Sequence, residues 1–270
     1  MFLPAVMPRA RLPAILSLVL LVLLVMAGCA SDNERDMKSG ADQLYDRAQS
    51  AMDSGNFRNA ITYYETLAAR FPFSNQAKQG QLDLIYCYYM NAEPESAIDA
   101  ASQFERENPT HPRVDYALYM RGLANFSGQS NAIYRFFDVD LARRPPDRTR
   151  ESFSAFAQLV QRYPKSRYAA DARQRMVFLR NRLAEYENDV ARYYFKRGAY
   201  LAAIDRARFN VESYDGALAV AESLRIIIDS YRALGMTDLA DSTREVLAAN
   251  FPEAAREQAK EEEKPWYRFW

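Results

Sequence analysis

Few side chains in this sequence have the type and spacing that catalysis or metal binding requires. The chain has one histidine, His111, which stands between two prolines in the segment NPTHPRV. A single histidine with no cysteine or acidic cluster at ligand spacing makes a zinc site improbable. The sequence also lacks a glycine-rich phosphate loop, a GxSxG elbow and an HExxH motif. We therefore interpret His111 as a turn residue that bonds to local backbone, and we predict a non-enzymatic chain without metal or cofactor.

The other reactive side chains fit structural roles. Cys87 lies in the apolar segment DLIYCYYM, where a lone thiol is typical of a small core side chain. Two carboxylate pairs, Glu185 with Glu187 and Asp238 with Asp241, lie in strongly charged helical segments. We interpret both pairs as solvated surface.

The second cysteine, Cys29, follows an apolar run at the N-terminus. Residues 12–27 are uncharged and are preceded by Arg9 and Arg11. A transmembrane helix needs about 20 residues, whereas a basic start, a short apolar region and a small-residue exit are typical of a bacterial export signal. We therefore predict that residues 1–28 are a cleaved signal peptide. The segment VMAGC resembles the lipobox of bacterial lipoproteins.

The lipobox resemblance implies a lipid on Cys29. Its thiol would receive a diacylglycerol and its new amine an acyl chain, and several chains hold a protein durably to a membrane. Ala30 and Ser31 resemble the residues of lipoproteins forwarded to the outer membrane, which implies its periplasmic face. Residues 29–42 would then form a lipidated tether. The alternative is an ordinary secretory signal with a chance cysteine.

A helical repeat with a period of 37 residues follows the tether. The typical unit has two helix patterns, a glycine between them, an alanine within the second pattern and a proline after it. These recurring positions include Gly55, Ala60, Pro72, Ala97, Pro109, Ala203, Gly235, Ala240 and Pro252. Gly198 takes the glycine position of a fourth unit, in which Asp215 replaces the proline, and ESFSAFAQLVQRYP supplies a further second helix. The small alanines allow paired helices to approach closely.

The units resemble tetratricopeptide repeats, so we predict an all-α solenoid of about five helix-turn-helix repeats over residues 43–252. The predicted N-terminal repeats cover 43–126, an insertion covers 127–148, and the C-terminal repeats cover 149–252. A charged and aromatic tail, 253–270, ends in PWYRFW.

Two groups of aromatic residues could bind a partner. The insertion contains Phe136, Phe137, Arg143 and Arg144, and exposed aromatics beside arginine are typical of interface hot spots. A short helix that caps the solenoid is the alternative for this segment.

Tyr63, Tyr88 and Tyr89 lie at helical spacing in the first two repeats. Tyrosine at this spacing usually packs in a core, with its hydroxyl reaching the edge. On a concave repeat surface, the same residues would stack against aromatic-rich strand segments. Both interpretations remain open at this point.

Resemblance to one family is carried by RFPFSNQAKQGQLDLIYCYYMNAEPESAI, ENPTHPRVDYALYMRGL and RFFDVDLARRPPD. These segments resemble the BamD (ComL-type) family of outer-membrane lipoproteins, and the resemblance spans about residues 44–252. It implies a subunit of the β-barrel assembly machinery, the BAM complex, which promotes folding and insertion of barrel proteins. The implied partners are the BamA POTRA domain nearest the membrane, BamC and BamE-type lipoproteins, and unfolded outer-membrane proteins.

The same resemblance implies two contact residues, Phe71 in RFPF toward substrates and Arg206 in AAIDRAR toward BamA. Phe71 could instead staple one repeat to the next, and Arg206 could be a solvated helix residue. The rival function is a generic repeat scaffold that organises cell-wall or other periplasmic complexes. We expect no nucleic-acid partner, because Lys plus Arg and Asp plus Glu each number 35.

Overall fold

The computed structural model describes residues 40–127 and 146–262, and over these residues it contains eleven α-helices and no β-strand. The all-α prediction is therefore confirmed. The helices are α1 (40–53), α2 (Phe57–Arg70), α3 (Asn75–Met90), α4 (Pro94–Glu107), α5 (Val114–Ser127), α6 (Asp147–Arg162), α7 (Ala169–Lys196), α8 (Tyr200–Ser213), α9 (Val220–Ala233), α10 (Thr237–Asn250) and α11 (Pro252–Glu262).

The chain forms two compact units, Met1–Ala92 and Glu93–Trp270. The first unit holds α1 to α3, and the second holds α4 to α11. In the second unit each helix from α4 to α11 packs against the next helix along the chain. None of the described helices is long and apolar enough to span a membrane.

Each of the four described turns inside the repeats has left-handed backbone at one residue. That residue is Gly55, Gly198 or Gly235 in three turns, with φ of 75°, 74° and 72°, but it is Ala92, with φ of 60°, in the second repeat. Glycine adopts this backbone without the cost that a Cβ imposes. The glycine positions predicted from the sequence are thus helix-ending turns, and Ala92 is a strained member of the same set.

The second helices of the five repeats, α2, α4, α6, α8 and α10, all end in the same way. The residue after each helix has φ between −136° and −123° and donates its N–H to the carbonyl four residues earlier. These residues are Phe71, Asn108, Tyr163, Tyr214 and Phe251. A proline follows four of them and Asp215 follows Tyr214. The helix can therefore end with this backbone geometry without a proline. The prediction of about five repeats is confirmed.

The alanines that were predicted to lie between paired helices are all buried: Ala60, Ala97, Ala203 and Ala240. The third repeat has Ser152 at this position, also buried, and its Oγ donates to the carbonyl of Gly122 at 2.8 Å. Beyond the last repeat, Ala254 and Ala255 of α11 pack against the core of α9 and α10. The charged segment after residue 252 therefore begins as a helix that covers the end of the core.

Candidate functional site

Several residues predicted to bind a lipid or a partner lie outside the described residues. They are Cys29, Phe136, Phe137, Arg143 and Arg144. The aromatic end of the tail, residues 263–270, also lies outside them. The remaining predicted residues, Phe71, Tyr63, Tyr88, Tyr89 and Arg206, belong to the described helices and turns.

Phe71 lies at the end of α2 and packs back onto α1. A Cβ added at Gly40 would come within 2.9 Å of the Phe71 ring, and the ring also borders the core of the first unit. This geometry is that of a staple between helices. The aromatic residue that faces solvent is Phe73, two positions later, which is 94% exposed. The segment RFPF contains both phenylalanines, and only the turn geometry distinguishes them.

The predicted tyrosines lie at the rim of the first unit. Tyr63, Tyr88 and Tyr89 are each half-buried, and the Tyr88 hydroxyl donates to Glu65 Oε1 at 2.6 Å. Their neighbour Tyr64 is the buried member of the group, and burial raises the pKa of its phenol above the ordinary value. Tyr63 and Tyr88 pack against the core of the first unit, and all three predicted residues keep part of their surface exposed.

Arg206 lies in a surface cavity between α7 and α8. The cavity has a volume of about 390 Å³ and is lined by Tyr194, Ala202, Asp205, Arg206 and Phe209. On α8 the lining residues recur at helical spacing, so one exposed face of the helix forms the wall. Phe209 is itself an exposed large apolar residue.

A second cavity, of about 530 Å³, shares Tyr194 with the first. Its described lining lies on the C-terminal half of α7 and consists of Tyr186, Asp189, Val190, Arg192, Tyr193, Tyr194 and Lys196. Arg192 in this wall bonds to Asp189 at 2.5 Å and to Glu222 at 3.1 Å. The two cavities together, which we call the tyrosine groove, expose aromatic rings beside charges that are partly neutralised by neighbours.

Arg206 is held by a buried carboxylate. Its guanidinium lies 3.3 Å from Glu187 Oε2, and the arginine side chain is 49% exposed while that of the glutamate is 4% exposed. The prediction that Glu187 is solvated is therefore wrong. Glu187 lies four residues after Leu183 and four before Ala191, both buried on the inner face of α7. The helical spacing from Leu183 and Ala191 predicts that Glu187 is buried. The interpretation of Glu187 as solvated follows instead from the charges of its neighbours in the sequence.

The described residues offer no metal site, and His111 has a structural role. Within residues 40–127 and 146–262, no group of three or more His, Cys, Asp or Glu side chains could hold a metal ion. His111 Nδ1 accepts the backbone N–H of Arg113 at 3.2 Å, and the imidazole ring packs edge-on against Phe104. His111 is thus a turn residue, as predicted. The groups that line the two described cavities are tyrosine and phenylalanine rings together with arginine, lysine and aspartate side chains, which suit binding.

Comparison with known proteins gives a consistent result. Residues 37–247 match the family YfiO, described as an outer membrane lipoprotein. A relative from Neisseria meningitidis is 41% identical over 92% of this chain and 96% of its own length, and one from Vibrio cholerae is 39% identical over 86% and 96%. A Xylella fastidiosa relative is 32% identical over 88% and 82%. All three are named outer membrane protein assembly factor BamD.

Among solved structures, MamA is 17% identical, with a TM-score of 0.34, over 83% of this chain and 97% of its own. BtubC from P. vanneervenii is 12% identical, with a TM-score of 0.34, over 88% and 87%. The family match and the three relatives show that the chain belongs to the YfiO family of outer membrane lipoproteins and is similar to BamD assembly factors along most of its length.

Proposed function

We propose that this chain is a non-catalytic outer-membrane subunit of the β-barrel assembly machinery that binds BamA and unfolded outer-membrane proteins. The observation that carries the proposal is the similarity to BamD assembly factors along almost the whole chain. The name of these relatives supports an assembly role and gives no support to the alternative of a generic envelope scaffold. The two exposed aromatic surfaces are of the kind that such binding requires.

The tyrosine groove is the proposed BamA site. Tyrosine and arginine are the residue types that dominate interface energies, and the groove offers both in Tyr193, Tyr194 and Arg206. Half of the Arg206 side chain is exposed even though Glu187 holds one guanidinium nitrogen. The free part can therefore bond to an acidic group of the BamA POTRA domain nearest the membrane.

The rim of the first unit is the proposed substrate site. Tyr63, Tyr88 and Tyr89 present aromatic edges at the surface, and Phe71 supports the end of α2 beside them. Barrel strands that have not yet folded offer alternating aromatic side chains, which stack on such edges with modest energy each. Contacts of this strength permit release after delivery to the barrel.

The proposed location is the periplasmic face of the outer membrane, with Cys29 as the lipid-bearing residue. In the same proposal, the segment with Phe136, Phe137, Arg143 and Arg144 docks a further protein, and BamC and BamE-type lipoproteins are the candidates. Mass measurement of the mature N-terminus tests the lipid. Photocrosslinking from Phe136 tests the docking.

Binding of the purified periplasmic POTRA domains of BamA to the full mature chain tests the central proposal. We expect Arg206→Ala to weaken this binding about tenfold. Arg208→Ala is the matched control, because Arg208 lies on the same helix and bonds instead to the Tyr231 hydroxyl. The double variant E187Q/R206A removes the cation without leaving a buried charge, so it should bind as weakly as R206A. Equal affinity of R206A, R208A and the unsubstituted chain would rule out the groove as the BamA site.

A further inference from the structure

The packing between α8 and α9 contains one buried polar pair at a position where the corresponding pairs of the other repeats are apolar. We call the contact between the second helix of one repeat and the first helix of the next repeat a junction. At each junction a buried residue near the end of the second helix is followed, 13 positions later, by a small buried residue of the next helix. The four pairs are Leu67 with Gly80, Phe104 with Ala117, Leu159 with Ala172, and Asn210 with Ser223. The fourth junction thus has an amide and a hydroxyl in place of a large apolar side chain and a glycine or alanine.

Hydrogen bonds from this pair join three helices. Asn210 Nδ2 donates to the carbonyl of Ala184 in α7 at 2.8 Å and to Ser223 Oγ in α9 at 2.7 Å. Ser223 Oγ in turn donates to Asn188 Oδ1 in α7 at 2.7 Å. Asn188 Nδ2 donates to the carbonyl of Ala219, the residue before α9, at 2.8 Å. A hydrogen bond requires a particular distance and angle between its two groups. The network therefore fixes the register of α7, α8 and α9, that is, how far each helix is shifted along its axis relative to the others.

Stability does not account for the network. Asn210 Oδ1 is buried and has no hydrogen-bond partner, and a buried polar atom without a partner is costly. When all partners in a buried hydrogen bond are replaced by apolar groups of the same shape, stability can be unchanged or higher. Buried polar groups are retained in some proteins because their directed bonds specify one packing arrangement.

The network lies directly behind the tyrosine groove. Asn210 is adjacent in sequence to Phe209, which lines the groove, and lies one helical turn from Arg206. Asn188 is adjacent to Glu187, whose carboxylate holds Arg206. The side chains that fix the register of α7 and α8 therefore alternate along these helices with the side chains that form or hold the groove wall.

We propose that Asn188, Asn210 and Ser223 are positioning residues that set the register of α8 against α7 and thereby aim Arg206 and Phe209 into the tyrosine groove. The inference rests on the proposed function of that groove as the BamA site. It adds the reason why this junction has an amide and a hydroxyl where the other three have apolar pairs.

The test variant is N188L/N210L/S223A, which gives the fourth junction the apolar pair found at the third and leaves no buried Asn188 amide without its partners. We expect its melting temperature to equal or exceed that of the unsubstituted chain. We expect its affinity for the purified POTRA domains of BamA to fall about fivefold, because the groove wall shifts. In the R206A background the same three substitutions should change affinity much less, since the arginine that they position is gone.

Ala92→Gly is the control for stability alone. It relieves the left-handed backbone of Ala92 in the first unit, so it should raise the melting temperature and leave POTRA affinity unchanged. A lower melting temperature of N188L/N210L/S223A would overturn the argument that the network is kept for geometry. Unchanged affinity of N188L/N210L/S223A, when R206A binds weakly, would overturn the inference and leave the proposed function standing. If R206A itself binds normally, the proposed function fails and the inference fails with it.

Discussion

The ring of Phe156 in α6 lies directly against the Cα of Gly122 in α5. A Cβ at residue 122 would come within 2.5 to 2.7 Å of three carbons of that ring, which is closer than real Cβ contacts occur. Both residues are fully packed, and the carbonyl of Gly122 also accepts the Ser152 hydroxyl. Residue 122 therefore tolerates no side chain while the Phe156 ring keeps its place.

Gly122→Ala should lower the free energy of unfolding by about 1–3 kcal/mol, because overpacking outweighs the better helix propensity of alanine. Urea unfolding followed by circular dichroism measures the change. In a Phe156→Leu background the ring is absent, so the added alanine should cost much less there. An equal cost in both backgrounds would show that the contact with Phe156 is not the cause.

Ala92→Gly should raise the free energy of unfolding by about 0.5–1 kcal/mol, because the left-handed backbone at φ of 60° costs alanine more than the extra chain entropy costs glycine. The converse change, Gly55→Ala, places a Cβ in open space at φ of 75° and should lower the free energy by a similar amount. Thermal unfolding of the two variants side by side checks the signs. A destabilised A92G would contradict the backbone argument.

Much of this fold can be predicted from the sequence because the same residue pattern occurs in several repeats. The glycine, alanine and proline positions recur with the same spacing, and each occurrence supports the others. The pattern does not predict the buried position of Ser152, because the third repeat has neither the alanine nor a short connection between its helices. It does not predict the backbone of Ala92 either, because nothing in the sequence indicates that an alanine has the backbone of a glycine.

The pH dependence of stability should contain a contribution from Cys87. Burial, reinforced by the charge of Asp83, raises the pKa of this thiol from 9.0 to about 12. Above pH 9 the unfolded chain loses the proton while the folded chain keeps it, so stability that is complete below pH 9 is lost as the pH rises toward 12. Cys87→Ala should flatten this fall when urea unfolding is compared at pH 8 and pH 11. Parallel curves for the two chains would exclude the contribution.

Removing Arg206 should destabilise the second unit through Glu187. The carboxylate stays buried when its partner is lost, and since half of the arginine is exposed, solvent already screens the pair. We expect R206A to cost about 1 kcal/mol. Adding E187Q should recover most of that loss in the same thermal unfolding experiment. Without recovery, the cost of R206A would have to come from lost packing.

The candidate site was less predictable than the fold, because exposure depends on contacts between repeats. Phe71 and Phe73 are equivalent by composition, yet only one faces solvent. Glu187 lies among charged neighbours in the sequence and is buried by its position on α7. Asn210 breaks the apolar pattern of its helix, a signal that indicates a polar core only once Asn188 and Ser223 are found beside it.

The shared C-terminal geometry of the five second helices limits which insertions the repeat array can accept. Residues 215–251 begin just after one such helix end, at Tyr214, and finish on another, at Phe251. A duplication of this segment would therefore connect two equivalent helix ends, and the helices that follow would keep their orientation relative to the preceding repeat. An insertion of any other length at this place would rotate the later helices out of phase, so such a chain lengthens by whole repeats or by loops.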